Sequence, residues 1–123
     1  MRWSAEQLQQ IDSARELRIA TRRDDGTLRA WVSIWVVRAD DDVYVRTWYR
    51  RDTGWFGRAL SQRSARIRIR GLEYDVAIEH MGNSTPELQS KVDAAYRNKY
   101  GPVGHRSMIT EDAAATTLRL SPA

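Results

Sequence analysis

The chain opens on a polar amphipathic stretch and then changes its period. Ser4-Ala5-Glu6-Gln7 has the form of a capping box, and Leu8, Ile11 and Ala14 follow at helical spacing, which predicts a short first helix. From Glu16 the period falls to two. Leu17, Ile19 and Thr21 alternate with Arg18, Ala20 and Arg22, and Asp24-Asp25-Gly26-Thr27 supplies a hairpin turn. A strand over residues 28–37 follows, then a polar turn at Asp40-Asp41-Asp42 and a third strand over residues 43–48. A two-residue turn at Asp25-Gly26 sets Leu17 against Ile34, Ile19 against Val32 and Thr21 against Ala30, one coherent apolar face. Leu28 and Val36 extend that face, with Val43 and Val45 joining from the third strand. The opposite face carries Arg29, Trp31, Trp35, Tyr44, Arg46 and Trp48, an aromatic and basic surface where a solvated one is expected.

A short helix is predicted over residues 55–62, and a second hairpin follows. With Gly71-Leu72 as its turn, Arg70 faces Glu73 and Arg68 faces Asp75, while Ile69 meets Tyr74 and Ile67 meets Val76. Thr85-Pro86 starts a longer helix with Pro in its first turn. Leu88, Val92, Ala95, Tyr96 and Lys99 form its buried stripe, and Gly101-Pro102 ends it. Residues 103–115 are poorly periodic, and a last strand covers 116–120. The order is helix, three strands, helix, two strands, helix, strand. It predicts a mainly β, α+β domain over residues 1–123, a six-stranded antiparallel barrel with three helices.

Composition narrows the chemistry. There is no Cys, which removes disulfides, thiolate metal sites and cysteine nucleophiles together. His80 and His105 are too few and too far apart for a metal motif; His80 reads as structural, and His105 has no assigned role. Asp40-Asp41-Asp42 lacks the spacing of a calcium loop, so no metal site is expected. No run is long enough for a membrane helix and no secretion signal is visible, so the expectation is cytoplasmic. The formal net charge is +4, low for a nucleic-acid binder, and the alternate arginines at 66, 68 and 70 already have acidic partners in the hairpin. Nucleic-acid binding therefore rests on charge alone.

The densest chemistry lies at Arg46, Trp48, Arg50, Arg51, Thr53, Trp55 and Arg58, where a strand end, a loop and a helix start meet. Helix N-terminal amides attract phosphate, arginine adds charge-assisted bonds, and tryptophan stacks on planar rings. These residues are candidates for an anionic cofactor or small ligand; an arginine-ringed oligomer interface is the competing explanation. Trp31, Trp35, Tyr44 and Trp48 predict a homodimer, because so much aromatic area is costly to leave in water.

Tyr44-Val45-Arg46-Thr47, the basic loop, Trp55-Phe56 and Ala65-Arg66-Ile67 before a second hairpin together resemble the FMN-binding split β-barrels. That superfamily includes pyridoxamine phosphate oxidase-like proteins and deazaflavin-dependent nitroreductases. The chain is more closely similar to an uncharacterised bacterial family, DUF2255, through residues 17–22, 34–37, 44–46, 93–101 and 115–120. The resemblance implies a homodimer with FMN or deazaflavin in clefts at the interface, and a flavin- or deazaflavin-dependent oxidoreductase. Arg46 stands where deazaflavin-using relatives have the Lys of a Lys-Gly-Gly stretch, and Trp55 matches their Trp. Thr47-Trp48 replaces the two glycines and Thr53 replaces a Pro. Arg46 with Arg50 or Arg51 would hold phosphate, and Trp48 and Trp55 would shape the ring pocket. The alternative is a cofactor-free split-barrel dimer that binds an anionic small molecule or a protein partner. No catalytic acid or base is identified.

Overall fold

The computed structural model describes residues 2–47, 54–104 and 106–123. Helix α1 spans Ala5–Ser13, and its capping box is complete: Ser4 Oγ accepts from Gln7 N–H (3.1 Å) and Gln7 Oε1 accepts from Ser4 N–H (2.8 Å). Strands β1 (Leu17–Ala20), β2 (Val32–Ile34), β3 (Val37–Ala39) and β4 (Asp42–Val45) follow. After α2 (Trp55–Gln62) come β5 (Ser64–Ile69), β6 (Leu72–His80), α3 (Pro86–Gly104), a 3-10 turn at Arg106–Met108, α4 (Glu111–Ala114) and β7 (Leu118–Pro122). The strands form one antiparallel sheet in the order β2-β1-β5-β6-β7-β4-β3.

The seventh strand has a simple origin. The single strand expected over residues 28–37 breaks at Trp35-Val36, so β2 pairs with β1 while β3 pairs with β4 at the far edge. The two edge strands are consecutive pieces of one run, and the chain itself joins the edges of the curled sheet. This is how the barrel is split. The break leaves the Val36 peptide groups without ladder partners, and helix α3 supplies them. Val36 N–H donates to Tyr100 Oη (3.1 Å), and the Lys99 ammonium donates to Val36 O (2.8 Å) and Ile11 O (2.9 Å). Tyr100 Oη in turn donates to Arg15 O (2.6 Å). Buried backbone groups cost free energy unless paired, so these contacts hold the kink in place.

This arrangement carries a pH signature. Burial pushes the Lys99 ammonium down from its ordinary 10.5 to about 8, against the opposing pull of Asp12. The unfolded chain keeps that proton until near 10.5, so between the two values it binds more protons than the native state and stability rises with pH. Burial also pushes Tyr100 up from 10.0 to about 12, so above pH 10 the unfolded tyrosine ionises first and stability falls again. Lys99→Met should flatten the rise between pH 8 and 10 in urea-unfolding midpoints. An unaltered pH profile in the variant would show that Lys99 does not titrate there.

Two packed regions flank the sheet. Inside the barrel, Leu17, Ile19, Val36, Val43, Val45, Ile67, Ile69, Leu118 and Leu120 pack with Leu8 and Ile11 of α1 and Phe56 and Ala59 of α2. Outside it, Val37, Ala39 and Tyr44 are covered by Val92 and Tyr96 of α3 together with Met108. Tyr44 was a candidate for a dimer interface, but it is only 2% exposed in the chain on its own. The amphipathic stripe of α3 needs an apolar partner, and the outer face of β3 and β4 is that partner.

The hairpins refine the expected pairings. In the body of the first, Leu17 faces Ile34 and Ile19 faces Val32, as the apolar pattern requires. The turn is longer than two residues: Arg22 pairs with Leu28, with Gly26 at φ 88°, and an extra residue is accommodated over 29–31. Thr21 therefore does not face Ala30. In the second hairpin the turn is Arg70-Gly71, both left-handed (φ 51° and 84°), not Gly71-Leu72. Arg68 then faces Glu73, Arg66 faces Asp75 and Ile67 faces Tyr74. A shift of two residues keeps every side chain on its face, so alternation alone could not exclude it. The last strand starts two residues later than expected because the Thr116 and Thr117 amides donate to Ala113 O (2.9 Å) and Ala114 O (3.1 Å) at the end of α4 instead of joining the ladder. No helix among the described residues is long and apolar enough to cross a membrane.

Candidate functional site

A cleft of about 490 Å³ opens where β2, the end of β4, the start of α2 and the 3-10 turn meet. Its apolar walls are Val32, Ile34, Trp35, Trp55 and Met108, and Glu16, Ser33, Thr47, Ser107 and Arg58 add polar groups. Such a volume lies within the usual range of small-ligand sites, roughly 300–1,000 Å³. Trp35 is firmly mounted: its ring stacks on Tyr100 at 4.1 Å between centroids and 4° between planes. Since Tyr100 also holds the Val36 peptide, the break in the strand and one wall of the cleft share a support. Trp55 opens α2 and packs edge-on against Phe56, at 5.9 Å and 86°. Gly54 caps α2 with no side-chain hydrogen bond and itself lines the cleft, so the positive end of the helix borders it.

Of the seven residues proposed as a cofactor site, Trp55 and Arg58 line this cleft. Trp48, Arg50, Arg51 and Thr53 lie outside the described residues, as does His105. Arg46 borders the cleft but does not present its guanidinium to it. Its side chain is 0% exposed and is committed inward. Nε donates to Thr117 Oγ1 (2.9 Å), Nη1 to Asp93 Oδ1 (2.6 Å) and Met108 O (2.8 Å), and Nη2 to Gln89 Oε1 (2.6 Å). The expected phosphate contact from Arg46 is therefore corrected to a structural one. Alternation puts Arg46 on the outer face with Tyr44, where α3 covers it.

The partners of Arg46 escaped sequence reasoning, although a signal existed. Gln89 and Asp93 are four residues apart and flank Val92 beside the apolar stripe of α3, where polar groups need a partner once the helix docks. Thr117 accepts from Arg46 and donates to Ala114 O (2.7 Å), and Thr116 Oγ1 accepts from Thr47 N–H (2.9 Å). These bonds prolong the β4–β7 contact beyond the strands' own ladder.

Of the proposed interface residues, Trp31 and Trp35 are half-buried. Trp31 lies under the guanidinium of Arg68, at 4.5 Å from the ring centroid. His80 Nε2 sits 3.0 Å from Ala115 O, in keeping with a structural role. Among the described residues no group of three or more acidic or His side chains could hold a metal ion.

The fold has solved counterparts at low identity. The heme storage protein HutZ from Vibrio cholerae is similar over 100% of this chain and 92% of its own, with 15% identity and a TM-score of 0.71. An FAD-binding protein from Mesorhizobium loti is similar over 100% of this chain and 92% of its own, with 13% identity and a TM-score of 0.62. An F420 reductase is similar over 94% of this chain and 91% of its own, with 14% identity and a TM-score of 0.52. These likenesses show that the fold is shared: a curled antiparallel sheet of the split-barrel type with helices packed on it. No curated protein sequence matches the chain. The pattern that unites residues 7–120 is nevertheless a recognised one, and the chain belongs to the family described as an uncharacterized protein conserved in bacteria, DUF2255.

Proposed function

We propose that the cleft binds a flavin or deazaflavin ring and that the protein is an oxidoreductase. The observation that carries this reading is the cleft itself, walled by Trp35 and Trp55 beside the start of α2, where the capping residue Gly54 makes no side-chain hydrogen bond. The donors present fit such a group. Aromatic walls stack on a planar heterocycle. The α2 amides and Arg58 supply positive potential for its carbonyl or anionic edge. Similar barrels named as FAD-binding, F420-using and heme-storing support the idea that this architecture accommodates large planar groups.

The bound ring would supply hydride or electron transfer. Trp35, Val32 and Met108 would shield the ring from water, and Trp55 would stack against it. Arg50, Arg51 and Trp48 remain proposed contacts from the segment between Thr47 and Gly54. A second copy of the chain would close the cleft on the side of Trp31 and Trp35, and light scattering at micromolar concentration should then report a dimer.

The test is the visible spectrum of the purified protein, followed by titration with FMN, FAD, riboflavin, deazaflavin and haem. A flavin or deazaflavin should bind and quench tryptophan fluorescence. Trp55→Ala should weaken that binding by about 2- to 10-fold, the loss expected for one aromatic stacking contact. A flat spectrum with no binding of any of the five would overturn the reading.

A further inference from the structure

The exposed face of β1, β5 and β6 carries a second feature. Because β1 pairs with β5, Arg18 stands directly opposite Arg68. Like charges directly opposed across a sheet are destabilising. Most of the arginines on this face are compensated. Arg68 donates to Glu73 (2.8 Å) and lies over Trp31, Arg66 donates to Glu73 (2.8 Å) and Asp75 (3.1 Å), and Arg22 reaches Asp75 (3.0 Å). Arg18 is not: among the described residues no carboxylate forms an ion pair with it. Arg70 donates to Ser13 Oγ (3.5 Å) and, among the described residues, forms no ion pair. Arg18, Arg68 and Arg70, with Glu16 and Gly71, line a depression of about 330 Å³. Glu16 also lines the aromatic cleft, so the two concavities share a boundary.

We propose that Arg18, Arg68 and Arg70 bind a terminal phosphate or carboxylate of the ligand whose ring occupies the cleft. The ligand's identity as a ring compound rests on the reading above; the arginine site does not. An anion here converts a repulsive pair into two charge-assisted contacts, and the guanidinium fork suits either oxyanion. Glu16, at the boundary of the two concavities, disfavours negative charge between them and can accept hydrogen bonds from a neutral donor. The ligand class is therefore a planar ring joined to a terminal anion through a neutral, hydroxyl-bearing linker. A nucleic-acid backbone fits less well, because Glu73 and Asp75 pair with Arg22, Arg66 and Arg68 and leave, among the described residues of this face, no extended run of unpaired cations.

Calorimetric titration of FMN, riboflavin and pyrophosphate into the full chain and into Arg18→Gln and Arg70→Gln tests this. FMN should bind more tightly than riboflavin, and either substitution should weaken FMN by about tenfold or more while riboflavin stays within about twofold. The melting temperature of Arg18→Gln should hold or rise, since the substitution relieves repulsion, which a merely structural arginine would not allow. Riboflavin and FMN bound equally, both indifferent to Arg18→Gln, would remove the anion site and leave the ring reading intact. Neither flavin bound, but pyrophosphate bound and lost in Arg18→Gln, would keep the anion site and remove the ring reading. No response to Arg18→Gln by any of the three ligands would overturn the proposal. So would a single-stranded oligonucleotide that binds far more tightly than pyrophosphate and depends on Arg18.

Discussion

Arg46→Met is expected to destabilise the protein by about 3–5 kcal/mol, the range for breaking a buried ion pair from one side. Methionine keeps much of the volume but none of the four hydrogen bonds. Asp93, Gln89, Thr117 and the Met108 carbonyl all lose a donor together; Thr117 and Met108 are buried, while Gln89 and Asp93 are partly open to water. Three separate segments meet at this guanidinium: α3, the residues just before β7, and the 3-10 turn that lines the cleft. Urea unfolding should show a lower midpoint with a similar slope. Adding Asp93→Leu to Arg46→Met should recover part of the loss, because an unpaired carboxylate is removed and the two positions are coupled. A loss below about 1 kcal/mol would mean that the network is not a support, and Arg46 would return as a candidate ligand contact.

Gly82→Ala should be nearly as damaging, by about 3 kcal/mol, at the upper end of the usual cost of overpacking. A Cβ on Gly82 would lie 2.0 Å from the Ala115 carbonyl oxygen, 2.7 Å from its carbon and 2.7 Å from His80 Nε2. Backbone cannot swing aside as the tip of a long side chain does. The neighbouring Met81 N–H donates to Thr117 O at 2.7 Å, so the strain would pass directly to the residue that receives Arg46 Nε. The two substitutions should therefore be non-additive in a double-mutant cycle, whereas Gly82→Ala and Lys99→Met should add. Wild-type-like thermal melting of Gly82→Ala would show that the loop does not rest on Ala115.

Local chemistry was legible wherever neighbours in sequence decide it. The Ser4 capping box, the alternation of Leu17 and Ile19 with Arg18 and Ala20, and the stop at Gly101 depend on spacings of two to four residues. Each stands as the sequence implies, with Gly101 at φ 76° ending the regular part of α3. Trp55 and Arg58 were legible as cleft residues for the same reason, since they occupy the start of a recognisable short helix.

Longer-range decisions were not legible. Alternation says that Tyr44 and Arg46 share a face, but not whether a second copy, a ligand or the chain's own α3 covers it. Only the docking of α3, anchored through Lys99 and Tyr100 to the kink at Val36, settles that. It turns an expected interface tyrosine and an expected phosphate arginine into core. The opposition of Arg18 and Arg68 escaped for a similar reason. β1 and β5 lie more than forty residues apart in sequence, and no local pattern sets one strand beside the other. The sequence by itself determined which residues form strands and helices, which side of each strand is apolar, and the family to which the chain belongs. Tertiary structure alone decided which charges meet, because pairing between distant strands is set by burial of the whole sheet. A guanidinium buried by that packing binds whatever acceptors the packing brings to it.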